Sequence, residues 1–257
     1  MNDLLRPIFL FLLLIQNLSV LICQDSNLFE SATKVVLLEE GKEEFFYWEL
    51  KNESHLWNEE IGNLSALNHY RDSLKLELGS KTYLSAIAKE ARQNLEVSLI
   101  EKAENGDRIN ALLVHTGSIG SLRQINNLEA HILNYQINRF PMLSHPTEFH
   151  GFILKNDVEG LIRIYFGSSD KGWPPQPTII IKELEKLVLH DWKLIGHLHN
   201  HYCEKNENYI GILAPSLADA QYYKMLKERF NIEKALITNG FHSVEIENKD
   251  FEKFESH

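Results

Sequence analysis

The segment Lys193-Leu194-Ile195-Gly196-His197-Leu198-His199 is predicted to form a β-strand that ends in two histidines. Because successive side chains of a strand point to opposite faces, His197 and His199 should lie on the same face. A second predicted strand begins forty-nine residues before His197 with Glu148-Phe149-His150-Gly151 and continues to residue 155. If the two strands are neighbours, they bring imidazole groups and a carboxylate together.

A predicted helix start supplies a further carboxylate. Ser216-Leu217-Ala218-Asp219 begins seventeen residues after His199 and opens a helix that extends to residue 230. Ser216 occupies the position that caps such a helix, and Asp219 lies one turn later on the same side. A strand end that faces this helix start can therefore bring both histidines of the strand and Asp219 together.

Two imidazoles and one carboxylate suit a catalytic zinc ion, which takes three protein ligands and leaves a fourth position for water. The spacing therefore indicates His197, His199 and Asp219 as metal ligands. Bound zinc lowers the pKa of its water to about 7. Glu148 can accept the proton of that water and pass it to a leaving amine. Ser216 can donate a hydrogen bond to the developing oxyanion.

The ordered combination of these motifs resembles the JAMM/MPN family of zinc metalloproteases. The strand from Glu148 to Leu154 is similar to the family's Glu-x-x-Gly-hydrophobic strand, and the HxH and SxxD motifs follow in the family's order. The resemblance covers residues 109–248 and implies hydrolysis of a peptide or isopeptide bond, with Zn²⁺ as the cofactor. It implies these site residues: His197, His199 and Asp219 as zinc ligands, Glu148 as general base, and Ser216 as support for the transition state.

The sequence departs from the family pattern at several points. Asn200 stands where the family has proline, Lys155 replaces a second glycine, and the connection from His199 to Ser216 is several residues longer than usual. Within that connection, His201 extends the pair to HxHxH, and Cys203 follows closely. Whether His201 or Cys203 joins the metal site stays open at this point.

Two alternative interpretations also stay open. The first is a catalytically inactive MPN-like binding or scaffold protein. The second is a zinc hydrolase of another fold, which a ligand set with His201 but without Asp219 would favour. Metallo-β-lactamase-like and amidohydrolase-like proteins place HxH early, whereas here it lies about three-quarters along the chain. The letters His-Asn-His at 199–201 also match the HNH nucleases, which need a ββα finger.

The composition is that of a globular protein. The chain has 257 residues, of which 44% are hydrophobic and 24% charged, so that it can bury a substantial core. Its net charge of −10 argues against nucleic-acid binding, which needs a basic surface. The order of predicted elements indicates an α+β fold. With the resemblance, it implies an MPN/JAMM-like mixed sheet flanked by helices and preceded by a smaller α/β N-terminal region.

We divide the chain into a signal peptide at residues 1–23, an N-terminal α+β region of unknown role at 24–108, and a JAMM-like metallopeptidase domain at 109–257. The signal peptide is predicted because Arg6 precedes a short apolar run and polar residues begin at Gln24. The expected product is exported, periplasmic or secreted, without a membrane span after cleavage. An uncleaved anchor, or lipid attachment at Cys23, is the alternative.

An exported zinc-dependent peptidase is therefore the predicted function, with a peptide or protein substrate such as a ubiquitin-like protein or a cell-wall peptide. Five further elements are predicted from hydrophobic spacing and turn residues. They are a hairpin of strands 34–38 and 43–50, a helix at 81–104, a strand at 109–115, a helix at 122–138, and a second hairpin of strands 234–238 and 242–247 around Asn239-Gly240.

Overall fold

The computed structural model of the protein describes residues 28–90, 105–202 and 210–256. The predicted signal peptide at 1–23, residues 91–104 of the predicted long helix, and Cys203 lie outside these ranges. Within the described ranges, no helix is long and apolar enough to cross a membrane.

The described residues form an α+β fold, as predicted, built on one eight-stranded mixed sheet. The strands are β1 (Thr33–Glu40), β2 (Glu43–Lys51), β3 (Ser121–Gln124), β4 (Phe149–Asn156), β5 (Leu161–Ser168), β6 (Trp192–Asn200), β7 (Lys234–Thr238) and β8 (His242–Glu247). The helices are α1 (Ser65–Leu78), α2 (Ser80–Glu90), α3 (Asn105–His115), α4 (Asn127–Arg139), α5 (Thr178–Leu187) and α6 (Leu217–Phe230). The strand order is β1-β2-β5-β4-β6-β7-β8-β3, and neighbouring strands are antiparallel except for β6 and β7.

Two predicted hairpins are confirmed. β1 and β2 are joined through Gly41, whose φ is 62°, and β7 and β8 are joined through Asn239-Gly240, where Gly240 has a φ of 90°. Both turns need a residue in the left-handed region, which glycine enters without a Cβ clash. The turn residues in the sequence therefore determine both strand pairings.

The predicted helix after Ser216 is also confirmed as α6. The Ser216 Oγ accepts a hydrogen bond from the Asp219 N–H at 3.1 Å, and the Asp219 carboxylate accepts one from the Ser216 N–H at 2.9 Å. This reciprocal capping box satisfies two backbone donors of the first turn. In addition, Asp107 of α3 accepts a hydrogen bond from the Leu217 N–H at 2.6 Å, so α3 anchors the same helix start.

The predicted strand at 109–115 is wrong, because these residues belong to α3. Asn110, Ala111 and Val114 are buried, whereas Leu112 between them is exposed. This spacing is that of a helix face and not of an alternating strand. A short apolar run does not by itself distinguish a buried strand from a helix segment.

The helix predicted at 122–138 begins later than expected. Residues 121–124 form β3, which pairs with β8 at the edge of the sheet, and α4 begins after Asn126. The Asn126 side chain accepts from the Glu129 N–H at 2.9 Å and so caps α4. Of the predicted helix 81–104, the described part is α2, which Gly79 separates from α1.

Helices cover both faces of the sheet. The first face packs Phe152 and Leu154 of β4 against α3, α5 and α6. The second face packs Phe149 and Ile153 of β4 against α1, α2 and α4. A strand that is buried on both faces has a nearly continuous apolar sequence, which explains the run Phe149–Leu154.

The N-terminal strands extend the same sheet. β2 pairs with β5 along its whole length, from Glu44 opposite Ser168 to Lys51 opposite Leu161. Trp48 of β2 is buried and stacks on Phe29 with ring centroids 3.8 Å apart. The predicted division at residue 108 therefore does not coincide with a break in the sheet.

We predict that Trp48→Ala destabilises the protein by about 3–5 kcal/mol, because it removes a fully buried aromatic side chain. Since β2 belongs to the common sheet, urea unfolding followed by circular dichroism should remain a single transition with a lower midpoint. The control Leu76→Ala, at a side chain that is 84% exposed, should change stability by less than about 0.5 kcal/mol. Two transitions, of which only the first moves in Trp48→Ala, would show that the N-terminal strands unfold independently.

Candidate metal centre

The candidate site lies where β4 begins and β6 ends. In their antiparallel pairing, Gly151 lies opposite Leu198 and Phe152 opposite His197. Continued by the same register, the pairing places His150 opposite His199 and Glu148 opposite His201. Successive side chains of a strand point to opposite faces of the sheet. The side chains of Glu148, His150, His199 and His201 therefore lie on the first face, which α6 covers.

The side chain of Asn200 continues the contact between β4 and β6 beyond their last paired residues, Gly151 and Leu198. Its Oδ1 accepts a hydrogen bond from the Phe149 N–H at 3.1 Å, and its Nδ2 donates to the Thr147 carbonyl at 3.0 Å. The Asn200 side chain is fully buried, so these bonds are shielded from water. This contact holds the segment that contains Glu148 beside the segment that contains His201.

Three side chains converge at this strand end: His199, His201 and Asp219. The His199 and His201 Nε2 atoms are 3.1 Å apart. The Asp219 Oδ1 lies 3.6 Å from the His199 Nε2, and the Asp219 Oδ2 lies 3.7 Å from the His201 Nε2. Atoms bonded to one tetrahedral zinc at 2.0–2.1 Å lie roughly 3.3 Å from each other. The three groups therefore fit a zinc ion with little movement.

Hydrogen bonds at the other ring nitrogens orient both histidines. The His201 Nδ1 contacts the Ile212 carbonyl oxygen, which can only accept, so the proton is on Nδ1. The His199 Nδ1 lies 3.0 Å from the hydroxyl of Tyr223, a buried residue of α6. In neutral His201, this contact leaves the Nε2 lone pair free to bind a metal ion. The same use of the His199 Nε2 requires the tautomer in which the His199 Nδ1–H donates to the Tyr223 hydroxyl. Metal-binding histidines are oriented in this way by a partner at the second nitrogen.

His197, a predicted ligand, lies outside this group. Its Nε2 is 2.9 Å from the Nδ1 of His150, and both rings pack against Phe152 and Tyr222. The structure thus brings the predicted ligands His199 and Asp219 together with His201 in place of His197. The cause is that α6 begins over the end of β6, beyond the position of His197.

Solvent exposure differs along the histidines of β6 and the segment that follows it. His197 and His199 are almost completely buried, whereas the side chains of His201 and Asp219 are 19% and 25% exposed. A substrate can therefore approach the group from the side of His201 and Asp219. His197 lies on the closed side.

Charges in the site are balanced between acids and imidazoles. Burial raises the pKa of Glu148, while His201 and His199 act against this effect. Burial also opposes the ionisation of Asp219, but His199 and His201 outweigh it and hold the pKa of that carboxyl well below its usual range. For His201, burial lowers the pKa, but Asp219 and Glu148 outweigh it and raise the pKa to about 9.

The buried pair His150 and His197 has different electrostatics. Burial is the largest cause that lowers the pKa of His150 to about 3, and it lowers the pKa of His197 well below its usual value. Both rings are therefore neutral at neutral pH, and one donates a hydrogen bond to the other. This pair packs beside the group of His199, His201 and Asp219.

Ser216 contacts the group through Asp219. Its Oγ donates a hydrogen bond to the Asp219 Oδ2 at 2.8 Å, in addition to its capping bond. Ser216 therefore holds the carboxylate that faces His201. Its predicted contact with a transition-state oxyanion stays a prediction.

Two residues of this site were not assigned by sequence reasoning. His201 continues the alternation of His197 and His199, so strand parity alone could not decide which two bind metal. Tyr223 lies four residues after Asp219, and helical spacing places both on the same side of α6. The four-residue spacing therefore indicates that Tyr223, like Asp219, faces the histidines, which is consistent with its hydrogen bond to His199.

Comparison with protein-family models, with curated proteins and with solved structures finds no match to this chain. The interpretation of the site therefore depends on the side chains and distances described above.

We predict that the protein binds one zinc ion per chain and that His201→Ala weakens binding by about 100-fold or more. Loss of a partner that only orients a ligand already costs 10–100-fold, and loss of the ligand should cost at least as much. Asp219→Ala should have the same effect. The measurement is competition with a chromophoric chelator. The matched variant His197→Gln should bind zinc within about threefold of the wild type, and equal losses in His197→Gln and His201→Ala would contradict this ligand set.

A second prediction concerns pH. Zinc binds the neutral form of His201, whose pKa is raised to about 9 by Asp219 and Glu148 against the effect of burial. Below pH 9, binding must displace that proton, so the apparent affinity should increase roughly tenfold per pH unit between pH 6.5 and 8.5. Isothermal titration in two buffers of different ionisation enthalpy should detect release of about one proton per zinc at pH 7. An affinity independent of pH would contradict the protonation of His201.

Proposed function

We propose that this protein is an exported zinc-dependent peptidase. The observation that carries the proposal is the convergence of His199, His201 and Asp219 at separations of 3.1–3.7 Å, with Glu148 beside them. Two histidines and a carboxylate bind catalytic zinc and leave one position open. The exposed side of the group gives a substrate access to that position.

Each residue has a definite task in hydrolysis. Zinc, when bound, supplies a Lewis acid that polarises a carbonyl group and lowers the pKa of water. Glu148 takes a proton from the attacking water and delivers it to the leaving amine. Its pKa, which burial raises, favours the protonated form that this delivery needs. Ser216 and Tyr223 hold Asp219 and His199 in place through their hydrogen bonds.

We further propose that the protein is a divergent member of the JAMM/MPN type. The glutamate, HxH and SxxD motifs keep the order of that family when the histidine pair is taken as His199 and His201. In this alignment, Tyr202 follows the second histidine, and the connection to Ser216 is two residues shorter than when it is counted from His199. The mixed sheet with helices on both faces is compatible with this proposal.

The alternatives receive less support. The ligand group contains Asp219 as well as His201, so the combination that would favour a different zinc hydrolase, His201 without Asp219, is not met. A non-catalytic scaffold has no need for a half-buried glutamate beside three candidate metal-binding groups. We propose a peptide or protein substrate for the enzyme, with a peptide or isopeptide bond as the target. With the predicted signal peptide, cell-wall peptides and extracellular proteins are the natural candidates.

We predict that Glu148→Gln retains zinc but loses hydrolytic activity by about 10²–10⁴-fold, because the amide cannot accept the proton. The assay is cleavage of fluorescein-labelled casein by the zinc-loaded protein, with zinc content measured in parallel. Glu159→Gln, at an exposed turn residue, is the matched control and should keep full activity. Full activity in Glu148→Gln would exclude it as the general base.

A further inference from the structure

One loop leaves the sheet beside the metal centre. Phe149, at the start of β4, pairs with Ser168, at the end of β5. On its other side, Phe149 is bonded to Asn200, at the end of β6. The segment 169–177 after β5 therefore begins at the same edge of the sheet as Glu148 and His201.

This loop is attached on both sides of the site. The His145 Nε2 donates to the Asp170 carbonyl at 2.6 Å, and His145 lies three residues before Glu148. The Tyr202 hydroxyl contacts the Gly172 carbonyl at 3.4 Å, and Tyr202 directly follows His201. A Cβ at Gly172 would lie only 3.1 Å from that hydroxyl, so the close approach favours glycine. The loop therefore contacts both segments that carry the site.

The loop is also stiff. Its sequence after Gly172 is Trp173-Pro174-Pro175-Gln176-Pro177, in which each proline fixes its φ angle. Pro175 and Pro177 are buried against the rest of the protein. The carboxylate of Asp170, at the start of the loop, forms an ion pair with Lys42 at 3.0 Å. The conformation of Trp173 is thus constrained from both directions.

Trp173 nevertheless points its large side chain into solvent. It is 67% exposed, although Gly172 beside it is closely packed and Pro175, two residues further on, is buried. A tryptophan whose role is to pack in the hydrophobic core would be buried, as Trp48 is. An exposed aromatic side chain on a rigid backbone loses little conformational entropy on binding, and tryptophan is enriched among residues that dominate binding energy.

We propose that Trp173 is a specificity-determining residue that contacts an apolar or aromatic side chain of an extended polypeptide substrate. The inference rests on the proposed peptidase function. Gly172, which precedes Trp173, contacts the hydroxyl of Tyr202, which follows His201. We therefore expect the contacted side chain to lie within a few residues of the scissile bond.

The test uses the full zinc-loaded protein and a defined probe, the tryptic peptides of casein. In the Glu148→Gln background, which should bind without cleavage, peptides retained on the immobilised protein are identified by mass spectrometry. We expect retained peptides to be enriched in aromatic and large apolar residues. The additional change Trp173→Ala should reduce their retention at least fivefold, and Trp173→Phe should restore most of it. Trp57→Ala is the matched control, because Trp57 is 37% exposed in a cleft at the opposite edge of the sheet.

Cleavage separates this inference from the proposed function. In the protein that retains Glu148, Trp173→Ala should raise KM for peptides with an aromatic residue within a few positions of the cut, with kcat and zinc content unchanged. Equal retention in the presence and absence of Trp173, or no retention of casein peptides at all, overturns the inference. Retention that depends on Trp173 without any cleavage supports the inference as a binding site and overturns the peptidase.

Discussion

The antiparallel pairing of β4 with β6 is the constraint on which the site depends. It places Glu148 at the level of His201, and His150 at the level of His199, on the face beneath α6. A slip of one residue would turn Glu148 to the opposite face and separate it from the imidazoles. Both strands are buried, so such a slip would also expose apolar side chains. Asn200 bonds to the backbone on both sides of Glu148 and secures the register beside this residue.

The charges at this strand end are consistent with a metal centre. Two carboxylates, Glu148 and Asp219, and two imidazoles, His199 and His201, lie within a small and largely buried volume, in which an uncompensated charge is costly. Asp219 and Glu148 stabilise the protonated form of His201, which shows that the site favours positive charge there. A divalent cation would supply that charge and would bond to the same Nε2 and carboxylate atoms. The neutral pair His150 and His197 lies beside these groups, with His197 almost completely buried.

The sequence predicted those parts of the fold that depend on local chemistry. Turn glycines determined the β1–β2 and β7–β8 hairpins, and the Ser216–Asp219 motif predicted the start of α6. It also placed Glu148, His199 and Asp219 in one site. The choice between His197 and His201 could not be made from strand alternation, which treats both alike. That choice follows from where α6 crosses β6, a tertiary feature. The seven-residue run in helix α3 fits the pattern of a strand as well as that of a helix, so its sequence alone does not distinguish them. The pairing of β2 with β5 joins residues more than a hundred positions apart, which local sequence patterns do not predict.

The most direct test of the account is the position of zinc in a crystal of the zinc-loaded protein, from anomalous diffraction at the zinc absorption edge. The account predicts one strong peak within about 2.0–2.1 Å of the His199 Nε2, the His201 Nε2 and an Asp219 oxygen. A peak between His150 and His197, or no bound zinc in crystals grown with the metal, would contradict it.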